Sequence, residues 1–409
     1  MLVRTVQLFI SDLHLTDGTI GEAVSPETLL QLVSEIKPPA AGHIHLVLLG
    51  DVFELLRSSA WSKLWDHGGY HVAPWTAMNA GFKGFPPKAA TCALRILRGI
   101  IARYSAFRDA LKERKPWLRV HYIPGNHDYM VQLIPDARRE IVDFLSLDNV
   151  PVDRPFPTAY TDDEVAVYAT HGNSSDPLNW HREAEGKWAF GDVIVLRLVN
   201  PFIKKACDHL GQPLSGGPEI AVAIQDLDNV EPNEDLAVYF RFLLEKHFAN
   251  ANQRRQILTI WQDSVNELLD LADFQDALYK DRHHELIRTA LSLSRNLNLT
   301  ELALKVREKY QALFGADDVD LQHAQRIYDL NQRQYRFIVF GHTHKPRLEP
   351  LAHSVYQPAY YVNTGCWRRL TTRRKDLAEF RPARVGTRFV VDSAGGQPRY
   401  RLLREIEIA

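Results

Sequence analysis

Eight side chains that bind metal ions or move protons fall into five short clusters: Asp12 and His14; Asp51; Asn126 and His127; His171; His342 and His344. Carboxylate and amide oxygens and imidazole nitrogens ligate divalent cations, and imidazole also exchanges a proton near neutral pH. Such groups suit hydrolysis at a metal site. Mixed imidazole and oxygen ligands fit Mn²⁺, iron or Zn²⁺ better than Mg²⁺ or Ca²⁺. Taken singly, each cluster reads equally well as a turn or a helix cap. Their joint occurrence is the signal, because each directly follows an apolar run.

Those runs are the elements that must position the clusters. Residues 6–10, 44–49, 118–123, 165–170 and 337–340 read as buried strands. Gly125 lets the chain turn sharply after the third of them. Helices are expected at 26–36, where Ser25 is a candidate N-cap and Pro26 occupies the first turn, and at 88–114 and 136–147. Strands alternating with helices imply an α/β fold with a parallel sheet, whose ligands sit beyond the carboxyl ends of the strands. Residues 360–362 and a hairpin of 387–391 with 400–403 extend the strand pattern.

Two stretches depart from that rhythm. Residues 58–86 carry Trp61, Trp65, Tyr70, Trp75, Phe82 and Phe85 without clean periodicity, and read as an ordered aromatic flap or a loop on its own small core. Residues 174–330 read as a helical insertion, with helices near 190–210, 235–250, 253–271, 283–295, 299–314 and 320–333. The expected organisation is a first core part at 1–173, the insertion at 174–330 and a second core part at 331–409. The stretch 193–199, followed by Lys204 and Lys205, reads either as a buried helix or as a peripheral membrane contact.

A net charge of −1 argues against stable nucleic-acid binding. Cys92, Cys207 and Cys366 are scattered, with no disulfide or zinc spacing, and read as buried thiols in a reducing compartment. No run is apolar enough to span a bilayer. Cleavage after the first apolar strand would remove Asp12 and His14, so a cytoplasmic protein is expected.

In order, the motifs Asp12-x-His14, Gly50-Asp51-x-x-Glu54, Gly125-Asn126-His127-Asp128, a lone His171 and Gly341-His342-x-His344 resemble those of the calcineurin-like metallophosphoesterase superfamily. The resemblance covers about residues 5–172 and 335–404. It implies a four-layer sandwich of two β-sheets flanked by helices, and two metal ions sharing Asp51. Asp12, His14 and His344 would complete one metal, and Asn126, His171 and His342 the other. A water between the metals would attack phosphorus in a phosphodiester or phosphomonoester. His127, next to a ligand, is the candidate general acid, and the family pattern makes Glu54 its orienting partner.

The stretches Gly50–Glu54 and Gly341–Pro346 are also similar to the UDP-2,3-diacylglucosamine pyrophosphohydrolases. That branch typically carries Arg where this chain has His127, and lacks so long an insertion. Hydrolysis of a nucleotide-diphosphate-linked lipid or sugar is therefore the second reading, and a non-catalytic scaffold the third. Arg368 and Arg369, which open the basic run 368–375, would hold a second phosphate of a phosphorylated or nucleotide-like substrate, or belong to a solvated loop. Asp176 and Asn179 would line the site or serve as cap and turn residues.

Overall fold

The apolar runs form strands, and side-chain alternation sorts each strand into two faces. In the computed structural model, residues 5–21, 24–39, 42–62, 87–148, 150–176, 179–180, 189–212, 219–231, 236–270, 318–331, 333–352, 358–373, 379–393 and 399–407 are described. The strands are β1 (Thr5–Ile10), β2 (His43–Leu49), β3 (Leu118–Ile123), β4 (Tyr160–Asp162), β5 (Val167–Ala169), β6 (Val230–Glu231), β7 (Phe337–Phe340), β8 (Arg347–Ala352), β9 (Ala359–Asn363), β10 (Arg369–Arg373), β11 (Phe380–Asp392) and β12 (Arg399–Glu407). They form two mixed sheets. The first runs β3-β2-β1-β11-β10-β6, with β12 on the other edge of β11; the second runs β4-β5-β7-β9-β8. β1, β2 and β3 are parallel, as are β5, β7 and β9.

One face of each sheet meets the other. Phe9, Val47, Leu49, Ile123, Phe389 and Val391 from the first sheet pack against Val167, Ala169, Phe337, Val339 and Val362 from the second. Each buried Val, Leu, Ile or Phe among them contributes roughly 1.5–3 kcal/mol. The alternate residues Leu8, Ile10, Leu46 and Leu48 point away, into a layer with Leu29, Val33, Leu97, Ile100, Phe107, Leu111, Ile141 and Phe144. These come from helices Pro26–Glu35, Pro87–Arg103, Ser105–Arg114 and Pro135–Phe144. On the far side, Ile338, Phe340 and Tyr361 pack on Ala324 and Tyr328 of helix Val319–Leu330. The chain is thus α/β, layered helix, sheet, sheet, helix.

Ser25 caps the first helix by accepting from Thr28 N–H at 3.2 Å, with Pro26 in its first turn. The single helix expected over 88–114 is two. Tyr104 breaks it with a non-helical backbone (φ −103°, ψ 28°), and its buried hydroxyl donates to Val24 O. No Gly or Pro announces that break; the tertiary hydrogen bond fixes it.

In the helical segment, Phe202, Ile203, Ile224, Phe240, Leu243, Leu244 and Ile257 pack together, joined by Ile20 and by Phe380 of β11. Val193, Val195, Leu196 and Leu198 join the core beneath the first sheet, so the stretch 193–199 is a buried helical segment and offers no apolar face to a membrane. Among the described residues, no helix is long and apolar enough to cross a membrane. The expected flap beyond Ser62, and the helices expected at 283–295 and 299–314, lie outside the described residues. Cys92, Cys207 and Cys366 are buried free thiols.

Candidate metal centre

The loops that leave the strands are laced together by their backbones. Asp12 N–H donates to Gly50 O (3.1 Å), His14 N–H to Asp51 O (2.8 Å) and Leu15 N–H to Val52 O (2.9 Å), which joins the ends of β1 and β2. Gly341 N–H donates to His171 O (2.9 Å), and Trp367 N–H to Asp12 O (3.1 Å), which ties the second sheet in. Eight non-glycine residues have positive φ among the described residues. Five of them are Asp12 (54°), His14 (46°), Asp51 (49°), His342 (69°) and His344 (58°). Such backbone costs on the order of 1–3 kcal/mol per residue, and concentrates where a site needs a particular side-chain direction. Gly125 answers a different demand: a Cβ there would collide with Asp51 and come within 2.8 Å of His171 Nε2.

The result is a buried cluster. Ligand atoms of Asp12, His14 and His344 lie within 4.8 Å of one another, as do those of Asp51, His171 and His342, and those of His14, Asp51 and His127. Asp51 Oδ2 faces both sides, 3.3 Å from His171 Nε2 and 3.9 Å from His14 Nε2. Asn126 Oδ1 lies 3.1 Å from His171 Nε2.

Hydrogen bonds assign the ring nitrogens. His14 Nδ1 sits 2.8 Å from the Glu54 carboxylate and donates to it. Its Nε2 then turns toward His344 Nε2, 3.4 Å away, and Asp12 Oδ1, 3.9 Å away. His171 Nδ1 donates to Leu49 O at 2.8 Å, leaving Nε2 among oxygens. Asp12 Oδ2 accepts from His342 N–H at 3.0 Å, and its buried Oδ1 lies 3.3 Å from His344 Nε2 and 3.9 Å from His14 Nε2. Imidazole nitrogens facing one another beside a buried carboxylate are costly unless a proton or a cation lies between them.

The charges agree. Burial would raise Asp12, Asp51 and Glu54, but the surrounding histidines outweigh it and hold all three below the ordinary carboxylate range. Burial pushes His14 down to about 4, helped by the charges of His127 and Arg368 and opposed by Glu54, so it offers a neutral imidazole. For His171 burial is overcome, chiefly by Asp51, and it rises to about 9. On protein groups alone, a proton occupies the point where its Nε2 meets Asp51 and Asn126. The donor set therefore fits divalent cations, which would take the place of that proton.

Beside this cluster, His127 Nδ1 lies 2.8 Å from Glu54 Oε2, and the His127 backbone N–H donates to Asp51 Oδ1 at 2.8 Å. Glu54 thus accepts from both His14 and His127, and its Oε1 also takes the backbone N–H groups of Leu56 and Arg57. The link from Glu54 to His14 was not part of the sequence reading, nor was any task for Asp128. That residue is fully buried, and its carboxylate accepts from Tyr122 OH, Gly125 N–H, Val52 N–H and Phe53 N–H. It holds the turn that carries Asn126 and His127. Burial and the charge of Asp51 raise it to about 6. Its place in the tetrapeptide was the only signal available.

The residues expected at the substrate separate. Asp176 Oδ2 lies 3.1 Å from His342 Nε2, and Asn179 Nδ2 donates to the same oxygen at 2.7 Å. Arg368 is buried, with Nε donating to Asn229 Oδ1 of the helical segment. Arg369 lies 3.9 Å from Asp226. Residues Arg369–Arg373 form β10, paired with β11 and β6, so this stretch is a strand and not a solvated loop. Residues 374 and 375 of the basic run lie outside the described residues. No protein-family model matches the chain, and no curated protein matches it.

Proposed function

We propose that this protein is a dinuclear-metal phosphoester hydrolase with the four-layer sandwich of the calcineurin-like metallophosphoesterases. The observation that carries this reading is the convergence of buried ligand atoms, with Asp12 Oδ1 facing His14 Nε2 and His344 Nε2, and Asp51 Oδ2 facing His14 Nε2 and His171 Nε2. Asp12, His14 and His344 would hold one cation, and Asn126, His171 and His342 the other, with Asp51 shared. When bound, two Mn²⁺, iron or Zn²⁺ ions would neutralise phosphoryl oxygens and lower the pKa of a water between them.

The chain's own groups divide the remaining work. Glu54 accepts from His14 Nδ1 and so directs His14 Nε2 into the site; it accepts from His127 Nδ1 and leaves Nε2 as the atom that would deliver a proton to the leaving oxygen. The buried Asp128 fixes the turn beneath both. Arg368, whose charge reaches His14, would favour an anionic substrate beside the centre.

The test is hydrolysis of bis-p-nitrophenyl phosphate by chelator-treated protein before and after addition of Mn²⁺, with metal content measured in parallel. The expected result is about two ions per chain and hydrolysis only after Mn²⁺ is added. Protein that binds no metal, or hydrolyses equally without it, overturns the reading. Metal bound without hydrolysis of mono-, di- or pyrophosphate esters would make the chain a scaffold.

A further inference from the structure

We infer that Asp176 is a positioning residue for one of the two metals, fixing the tautomer and orientation of His342; this rests on the metal-centre reading above. His14 and His171 each commit Nδ1 to the protein and turn Nε2 inward. His342 is wired the other way, with Nε2 3.1 Å from Asp176 Oδ2. An ionised carboxylate only accepts, so His342 Nε2 carries the proton and Nδ1 is the nitrogen it can offer toward Asp51 and His171. The backbone reinforces this orientation, with His342 at φ 69° and its N–H donating to Asp12 Oδ2. An acceptor behind a ligand imidazole typically raises ligand basicity and holds the ring.

Asp176 is itself built in place. It ends a short turn, Asn173–Ser175, that leaves the strand-end residue His171 through Gly172 at φ 105°. Ser175 Oγ donates to Asp320 Oδ1 at 3.0 Å, and Ser174 Oγ lies 3.1 Å from His323 Nε2, both on helix Val319–Leu330. Asn179 Nδ2 holds the carboxylate oxygen that faces His342, and Asn173 Nδ2 donates to Asn179 O at 3.0 Å. The helix that covers the second sheet is thereby connected, through a hydrogen-bonded turn, to a candidate metal ligand. Sequence spacing could not reveal this pair, since 166 residues separate its members.

The experiment compares metal-free wild type with Asp176→Asn in a calorimetric Mn²⁺ titration, with electron paramagnetic resonance to separate coupled Mn²⁺ pairs from single ions. In Asp176→Asn, one class of site should weaken about 10–100-fold while the other keeps its affinity, so single ions appear at stoichiometries where wild type shows pairs. Asn179→Ala, which leaves the carboxylate but removes its holder, should show a smaller loss at the same site. Nitrogen-15 histidine spectra should show the Nε2–H tautomer of His342 in wild type and its loss in Asp176→Ala, which removes the acceptor. Unchanged affinities in Asp176→Asn and Asn179→Ala overturn the inference, as does a raised KM with unchanged metal binding, which would put Asp176 on the substrate. Wild type that binds no Mn²⁺ sinks the metal-centre reading itself.

Discussion

The two ends of the first sheet each carry histidines beside carboxylates, and they differ in what those groups are offered. Roughly 20 Å from Asp51, six residues back along β2, His45 stacks on His121 of β3 with ring centroids 5.0 Å apart, and His45 Nδ1 lies 3.0 Å from His121 Nε2. The nearby Asp162 accepts from Gln7 Nε2 and from the backbone N–H groups of Glu164 and Val165. None of His45, His121 and Asp162 has positive φ. At the other end, ligand atoms of histidines and carboxylates converge in threes within 4.8 Å of one another, and five residues sit on left-handed backbone. Histidines near carboxylates are therefore not enough to mark a metal site. Converging ligand atoms on a left-handed backbone are what separate the two clusters.

Removing the shared carboxylate should break that contrast most severely. Asp51→Asn keeps the shape but halves the acceptor capacity at the point where both groups meet. Bound metal should be lost, and hydrolysis should fall by more than roughly 10⁴-fold, beyond what loss of a general acid costs. His45→Gln with His121→Gln should leave metal content unchanged. Equal metal loss in both variants would mean that the comparison is wrong.

A smaller effect is expected at His127, which borders the cluster and also contacts Glu54. His127→Ala should retain metal and lose about 10²–10⁴ in rate with an alkoxide leaving group. The loss should shrink with a nitrophenolate, which departs without a proton. Glu54→Gln should show the same trend and, because Glu54 also holds His14, should weaken metal binding about 10–100-fold. A loss independent of the leaving group would deny His127 the proton-transfer step.

The strands and the clusters at their ends were legible because each strand is a short apolar run that stops at a polar turn. Pairing was less legible. β11 runs thirteen residues through Pro382 and Gly386, which read locally as breakers, yet β10 and β12 pair along it. Pro350 disguised β8, which tolerates it as an edge strand. The tie from Asp176 to His342, and that from Arg368 to Asn229, join segments far apart in sequence, and only the packed sheets bring them together. Alternation along β2 and β3 puts His45 and His121 on the face that carries Val47 and Ile123, but their meeting depends on the sheet order.

That distal pair supplies the smallest of the expected effects. Burial pushes His121 down to about 4, with the charge of His45 acting in the same direction and Asp162 opposing; burial also lowers His45. The unfolded chain holds these imidazoles near 6.5. Between pH 6.5 and 4 the unfolded state therefore binds more protons at His121 than the folded state does. Stability from this group is complete above about pH 6.5, falls as the pH drops through that window, and loses nothing further below about 4. After solvent screening the total is on the order of 2 kcal/mol. Denaturant unfolding of metal-free wild type and His121→Gln, followed from pH 8 to 4, isolates it, because the carboxylates and histidines of the metal centre contribute equally to both curves. The variant should be less sensitive to acid, with the difference growing only below pH 6.5. Parallel curves would mean that the pair is no drier in the folded protein than in the unfolded chain.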